Sequence, residues 1–227
     1  MTEPELTYFL WGAFFEQGPA MGLVLNIVMS FIALLAGTLL GIPVGLLRVI
    51  APIWLKAPIG LLITLIRSTP LLLLVLWLFL LIQVVLVLPL DPLWIGCIAL
   101  SLYAMTHLSD LVRAGAKAVP KQQINAAVSL GLSSTQVACY LLVPYALRSM
   151  FPAICTFFTS LFKDSSVCYV IGVIELMQLG VLESARHPQN LLINYTFIAL
   201  IFFIISTTGM RLAYRIEKRI RVKGMQG

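Results

Sequence analysis

The stretch Val119–Gln136 reads VPKQQINAAVSLGLSSTQ and is rich in small and polar residues. It lies between two apolar segments, IGCIALSLYAMT before it and VACYLLVPYAL after it. Pro120 is a helix start signal, and after it the apolar and polar residues recur with the period of an amphipathic helix. One stripe holds Ile124, Ala127, Val128 and Gly131, and the opposite stripe holds Gln122, Asn125, Ser129 and Ser133. A helix of this kind is about 16 Å long, too short to cross a bilayer.

The flanking sequence is that of a membrane protein. Of the 227 residues, 60% are hydrophobic and 11% are charged, and the mean hydropathy is +1.02. A soluble domain carries about 25% charged residues, and a bilayer core takes about 20 apolar residues per helix. Long charge-free runs without strand-like alternation predict an all-α membrane protein with five transmembrane helices. The predicted spans are roughly 21–47, 58–88, 92–112, 138–165 and 189–212.

The basic residues set the orientation. They follow the first, third and fifth predicted spans, which places the N-terminus outside and the C-terminus in the cytoplasm. The extracytoplasmic N-terminal segment 1–18 has no positive region, so we expect no cleavable signal peptide. The basic cytoplasmic tail 215–227 contributes much of the net charge of +6. We interpret that charge as topology anchoring and attraction to anionic membrane lipid, not as a sign of nucleic-acid binding.

The second predicted span is too long for one straight helix and is interrupted by IRSTPLL. Pro70 removes a backbone donor, and Ser68 and Thr69 can bond the carbonyls that it frees. Arg67 lies at this break. It either extends to the cytoplasmic interface or lines a pathway together with Ser68 and Thr69.

The fourth apolar region also contains an interruption, SLFKDSSVCYVIG. A helix break at KDSS would place Lys163, Asp164, Ser165 and Ser166 on a polar path near mid-depth, as broken helices do in transporters. The alternative is a Lys–Asp pair that neutralises itself at the outer interface. Asp110 and Arg113, spaced i, i+3, predict a separate structural ion pair.

Several motifs then resemble one family. The segment INAAVSLGLSSTQVACYLLVPYALRSMFPAI resembles the cytoplasmic EAA loop of bacterial ABC importer permeases: Ala126, Ala127, Gly131 and Pro144 match, and Asn125 stands where that family usually has glutamate. RSTPLL, LSDLVRAG and FKDSSV resemble three further elements of the family, and along the chain all four motifs follow the family's order. From about residue 18 to 214 the chain resembles permeases for polar amino acids of the histidine, glutamine, glutamate and arginine type.

The resemblance implies a type I ABC importer-like permease with a cytoplasmic coupling helix. Its transmembrane domain would be 19–214, with an EAA-like coupling loop at 119–145. The implied ATPase-docking residues are Gln122, Asn125, Ala126, Ala127, Ser129 and Gly131. Implied partners are a cytoplasmic ATPase dimer, a second permease (an identical or a sister chain), an extracytoplasmic solute-binding protein and an amino-acid substrate. The implied location is the bacterial inner membrane.

The sequence predicts no catalytic residues and no metal site. It has no G-x-x-x-x-G-K-[ST] motif, so we expect ATP–Mg on the partner subunits and no cofactor in this chain. Its four cysteines lack metal-site or CxxC spacing. Two other functions remain open at this point. An ion- or proton-coupled carrier usually shows inverted repeats, which this chain lacks, and a non-transport scaffold has no use for charges at mid-depth.

Overall fold

A computed structural model of the chain describes residues 22–224, with no side-chain description at 216, 217 and 219–224. The predicted N-terminal segment 1–18 and the last residues of the tail lie outside that range. The helices are α1 (Leu23–Ile50), α2 (Ile53–Ser68), α3 (Leu71–Leu80), α4 (Pro92–Lys117), α5 (Lys121–Ser129), α6 (Ser134–Val137), α7 (Val143–Asp164), α8 (Leu176–Arg186) and α9 (Leu191–Gly224). Wider π-helical turns follow α3 at Leu81–Val85 and α6 at Ala138–Leu142, and 3₁₀ turns lie at Ser165–Ile171 and Pro188–Asn190.

The predicted membrane-spanning architecture is confirmed. Within the described residues, four continuous helical segments are long and apolar enough to cross a bilayer: Leu23–Ile50, Pro92–Lys117, Ser134–Ile171 and Pro188–Arg215. The pair Ile53–Ser68 and Leu71–Val85 makes a fifth if it counts as one broken span. The predicted break in the second span therefore exists.

That break follows from Pro70. Steric conflict with a proline ring drives the preceding residue out of helical geometry, and Thr69 is extended, with φ −83° and ψ 126°. The Thr69 hydroxyl donates to the carbonyl of Leu65 at 3.0 Å, so it satisfies a carbonyl at the broken end as predicted.

The chain divides into two compact units. The first unit holds the start of α1 up to Ala33 together with Pro70–Leu100 and Phe158–Arg211. In its core Leu176 and Leu179 of α8 pack with Ile198 of α9. The second unit holds Leu34–Thr69, Ser101–Phe157 and residues 212–224.

Within the second unit, α1 packs very closely on α4. A Cβ atom built on Gly37 would lie 2.5 Å from the Cβ of Ala104, and one on Gly45 would lie 2.7 Å from the carbonyl oxygen of Ser109. Gly41 is also tight, at 3.0 Å from the Cβ of Leu108. Glycine at every fourth residue lets the two backbones approach each other, as small residues do between membrane helices.

Helix α2 of the same unit is packed far more loosely. Ile63 is the one buried residue along its length, and a Cβ added at Gly60 would meet nothing within 4 Å. Its exposed apolar side chains suit a lipid or partner-chain environment.

Candidate functional site

The stretch Val119–Gln136 contains the short helix that its periodicity predicts. Helix α5 begins at Lys121, directly after Pro120, and Ile124 and Ala127 pack against a buried cluster of the second unit. The other predicted docking residues on the helix are exposed: Gln122, Asn125, Ala126 and Ser129. The predicted apolar stripe was too wide, because Val128 is 57% exposed.

Gly131 does not lie on this helix, so its predicted place in the apolar stripe is wrong. Helix α5 ends at Ser129, and Gly131 follows with a φ of +85°. Its N–H donates to the carbonyl of Val128, and the N–H of Leu132 donates to the carbonyl of Ala127. These two bonds define a Schellman motif, in which a left-handed residue closes a helix. Gly131 therefore shapes the C-terminal end of α5 and does not contribute to a face of that helix.

The chain then returns to the membrane through two further local devices. Ser133 and Gln136 form a capping box that starts α6. A π turn at Ala138–Leu142 precedes Pro144, whose ring in a regular α-helix would clash with the carbonyl of Tyr140. The wider turn removes that clash and lets α7 follow on directly.

The buried cluster beneath α5 joins this segment to two spans. It consists of Ala116, Val119, Val137, Ala138, Leu142 and Ala146. Leu46 and Val49 of α1 pack on its edge. We name the packed set of α5, α6, the end of α4 and the start of α7 the coupling body.

At KDSS, in the first unit, the helix changes type where a break was predicted, and the helical segment Ser134–Ile171 continues through it. Helix α7 ends at Asp164, a 3₁₀ helix follows at Ser165–Ile171, and Gly172 caps it with a φ of +87°. The four predicted path residues do not share one environment. Lys163 is exposed, Asp164 is half-buried, and Ser165 is fully buried. The hydroxyl of Ser166 donates to the backbone carbonyl of Lys163 at 2.7 Å.

Ser165 belongs to a buried polar cluster that the sequence reasoning missed. Asn26 of α1 has no solvent exposure, and its Nδ2 donates to Ser165 Oγ at 2.9 Å and to Glu175 Oε2 at 2.8 Å. Its Oδ1 accepts from the N–H of Leu176 at 3.1 Å. We name these residues, Asn26, Ser165 and Glu175, the Asn26 cluster. An isolated asparagine in an apolar span is the signal that could have found it.

Glu175 has a second task in the same cluster. Its carboxylate caps α8 by accepting from the N–H groups of Met177 and Gln178, at 3.0 and 2.9 Å. Burial raises the pKa of Glu175 to about 7, although these hydrogen bonds and the Asn26 amide favour the charged form. The cluster thus fastens the start of α1 to the two ends of the segment 165–176.

Arg67 lies elsewhere, in the second unit, and its charge faces a carboxylate. Asp110 of α4 accepts from Arg67 Nη1 with one oxygen and from Arg48 Nη1, at 2.5 Å, with the other. Arg48 Nη1 also donates to Ser109 Oγ at 3.2 Å. The predicted Asp110–Arg113 pair is therefore wrong: Asp110 pairs with two arginines from other helices. We name Arg48, Arg67 and Asp110 the arginine clamp.

The predicted site residues thus fall into three groups. Lys163, Asp164, Ser165 and Ser166 adjoin or belong to the Asn26 cluster. Arg67 belongs to the arginine clamp, next to exposed Ser68 and to Thr69 at the break. The docking residues lie on α5 or at its end. No group of three or more His, Cys, Asp or Glu side chains suited to a metal occurs among residues 22–224.

Comparison with known proteins agrees with this arrangement. A family model described as "Binding-protein-dependent transport system inner membrane component" matches residues 33–222. The probable glutamine ABC transporter permease protein of Bacillus subtilis strain 168 is 30% identical over 213 residues, which cover 93% of each chain. The glutamate/aspartate import permease protein GltJ of Escherichia coli K12 is 26% identical over 241 residues, covering 96% of this chain and 97% of that relative.

Two solved structures share the fold. A chain from the crystal structure of an amino acid ABC transporter with histidines superposes with a TM-score of 0.76 and 27% identity. The match covers 87% of this chain and 92% of that one. A chain of the MetNI methionine ABC transporter in an inward-facing conformation gives a TM-score of 0.73 at 20% identity, with 95% and 99% coverage, and shows the fold alone.

Proposed function

The chain belongs to the family of binding-protein-dependent transport system inner membrane components, and we propose that it is the membrane-spanning subunit of an ATP-driven amino-acid importer. The observation that carries the proposal is the match over almost the whole chain to permeases named for glutamine and for glutamate/aspartate. A permease named for arginine, which is 27% identical over 203 residues, adds to it. The substrate class that these names share is a polar amino acid.

The first unit supplies the candidate substrate path. An amino acid carries a carboxylate and an ammonium group, and Lys163 and Asp164 offer the two complementary charges on adjacent residues. Of the predicted path residues, Ser165 has a structural role, because its hydroxyl donates to the carbonyl of Phe162 and accepts from Asn26. Ser166 is likewise engaged with Lys163. The path function therefore concentrates on Lys163 and Asp164.

The second unit supplies the candidate coupling surface. The exposed face of α5 presents Gln122, Asn125 and Ala126, and their small or short polar side chains permit close approach by another protein. Behind this face, Ile124 and Ala127 rest on the buried cluster of the coupling body. A push on α5 by an ATPase subunit would therefore be passed to α4 and α7.

The full assembly in this proposal contains two permease chains, a cytoplasmic ATPase dimer that binds ATP–Mg, and an extracytoplasmic solute-binding protein. The chain would lie in the bacterial inner membrane with its N-terminus outside and its C-terminus in the cytoplasm. No observation favours the ion- or proton-coupled carrier or the non-transport scaffold, and the relatives above are named as ABC transporter components or import permeases.

The test is uptake by the purified complex in lipid vesicles. Glutamine, glutamate, arginine, histidine and cystine are offered as labelled substrates with the solute-binding protein, with ATP inside or outside the vesicles. We expect uptake of at least one of them that requires ATP on the ATPase side. Uptake that follows an imposed proton or sodium gradient and ignores ATP would establish the carrier instead.

A further inference from the structure

The arginine clamp holds one carboxylate by two unequal bonds. The side chain of Arg48 is 7% exposed, and that of Arg67 is 40% exposed. Separating a buried ion pair leaves an uncompensated charge in a medium of low polarity, whereas an exposed pair opens at little cost. The bond from Asp110 to Arg48 is therefore fixed, and the bond from Asp110 to Arg67 is the one that can open.

The two sides of the clamp differ in packing in the same sense. On the fixed side, Gly37, Gly41 and Gly45 hold α1 against α4, so Arg48 and Asp110 sit on one rigid helix pair. On the other side, Arg67 ends α2, of which Ile63 alone is buried. Loosely packed elements are the ones that move in conformational changes.

Asp110 is also connected to the docking helix. Helix α4 ends in the coupling body, where a Cβ on Gly115 would lie 2.8 Å from Cα of Ala146 in α7. Ala116 and Val119 belong to the same buried cluster as Val137 and Ala138. Because this body is closely packed, a displacement of α5 carries α4, and Asp110 with it.

We propose that the Arg67–Asp110 ion pair is a releasable latch. While it is closed, it passes movement of the coupling body to α2 and so to the helix break at Ser68–Pro70. Arg67 and Asp110 are then positioning residues for transport, and neither needs to touch the solute. The inference rests on the proposed function, since it assigns the latch a place between the ATPase-docking helix and the interrupted second span.

The test compares three variants of the assembled complex in vesicles. Arg67→Met opens the latch, and Arg67→Lys keeps its charge. Arg113→Met is the matched control, because Arg113 lies one turn from Asp110 on the same helix and does not bond to it. The readout is the amount of amino acid imported per ATP hydrolysed, using the substrate that the wild-type complex takes up best.

We expect Arg67→Met to lower that ratio about fivefold, the factor that corresponds to losing an exposed ion pair at the upper end of the usual range. Arg67→Lys should keep most of the ratio, and Arg113→Met all of it. A full ratio in Arg67→Met overturns the latch, as does an equal loss in Arg67→Lys or in Arg113→Met. Absence of ATP-driven uptake in the wild-type complex is a different result, which overturns the proposed function itself.

A second readout separates a latch from a merely structural role. A single cysteine at position 68, in a background with the four native cysteines replaced by alanine, reports the surroundings of the break. We expect its maleimide labelling rate to change when ATP and vanadate trap the ATPase, and this change to vanish with Arg67→Met. A change that persists in Arg67→Met would show that α2 moves without the ion pair and would overturn the proposal.

Discussion

Replacing the side chain of Asn26 should strongly destabilise the first unit. Asn26→Leu keeps the side-chain size and removes three hydrogen bonds: to Ser165, to the carboxylate of Glu175 and from the N–H of Leu176. A neutral hydrogen bond contributes about 1 kcal/mol, and one to a charged group about 1.5–3 kcal/mol. The expected loss is therefore about 4 kcal/mol in the free energy of unfolding. For a chain of this size that corresponds to a fall in melting temperature of roughly 8–16 °C.

The measurement is thermal unfolding of the purified complex in detergent, followed by the fluorescence of a thiol-reactive dye or by loss of solubility. Ser30→Ala is the matched control on the same helix: the Ser30 hydroxyl donates to the backbone carbonyl of Asn26 at 2.6 Å. That hydroxyl also lies 3.4 Å from the carbonyl oxygen of Leu161, so the variant loses one neutral hydroxyl shared by two acceptors. It should melt only about 2–4 °C lower. If Asn26→Leu melts no lower than Ser30→Ala, the cluster does not fasten α1 in the way described.

Three other perturbations test the remaining parts of the molecule. Because the pKa of Glu175 is raised to about 7, its stabilising contribution is greatest below about pH 4.5 and is lost as the pH rises through 7. The melting temperature of Glu175→Gln minus that of wild type should therefore increase from pH 4.5 to pH 8. If this difference stays constant, the pKa of Glu175 is not raised by burial. Lys163→Met should leave an assembled complex that hydrolyses ATP but imports at least tenfold less amino acid, which corresponds to a transport barrier raised by roughly 1.4 kcal/mol or more. Unchanged uptake in vesicles would show that Lys163 does not line the path. Ala126→Trp on the exposed face of α5 should abolish stimulated ATP hydrolysis, while Ala118→Trp, exposed outside that helix, should not; equal effects would move the docking surface elsewhere.

Sequence patterns predicted the spans and the break at Pro70 because those features depend on local physics. Charge-free runs of sufficient length identify membrane helices, and the break at Pro70 follows from the geometry of one residue. Helix α5 was likewise visible in its periodicity. Its end was not, because Gly131 fits a helical stripe by spacing alone, whereas the actual φ of +85° depends on how the following chain turns.

The polar clusters could not be predicted because their partners are distant in sequence. Asn26 bonds to Ser165 and Glu175, which are 139 and 149 residues away. For Asp110, local spacing favoured Arg113, but tertiary structure places Arg48 in a buried position where it requires a carboxylate. The short-range pair loses that competition, since an exposed i, i+3 contact contributes only a few tenths of a kcal/mol, or about 0.2–0.5.

The glycine contact between α1 and α4 limits the kinds of motion that this helix pair can undergo. Gly37, Gly41 and Gly45 repeat every four residues, or about 6 Å along the axis, and each faces its own close neighbour on α4. If α1 slid along its axis by less than one repeat, the methyl group of Ala104 would leave Gly37 and meet the side chain of a neighbouring residue of α1. Twisting one helix about its own axis would meet the same obstruction. Tilting of α1 and α4 together, as one rigid pair, keeps every glycine opposite its neighbour. Movement of this helix pair in a transport cycle must therefore be a joint tilt.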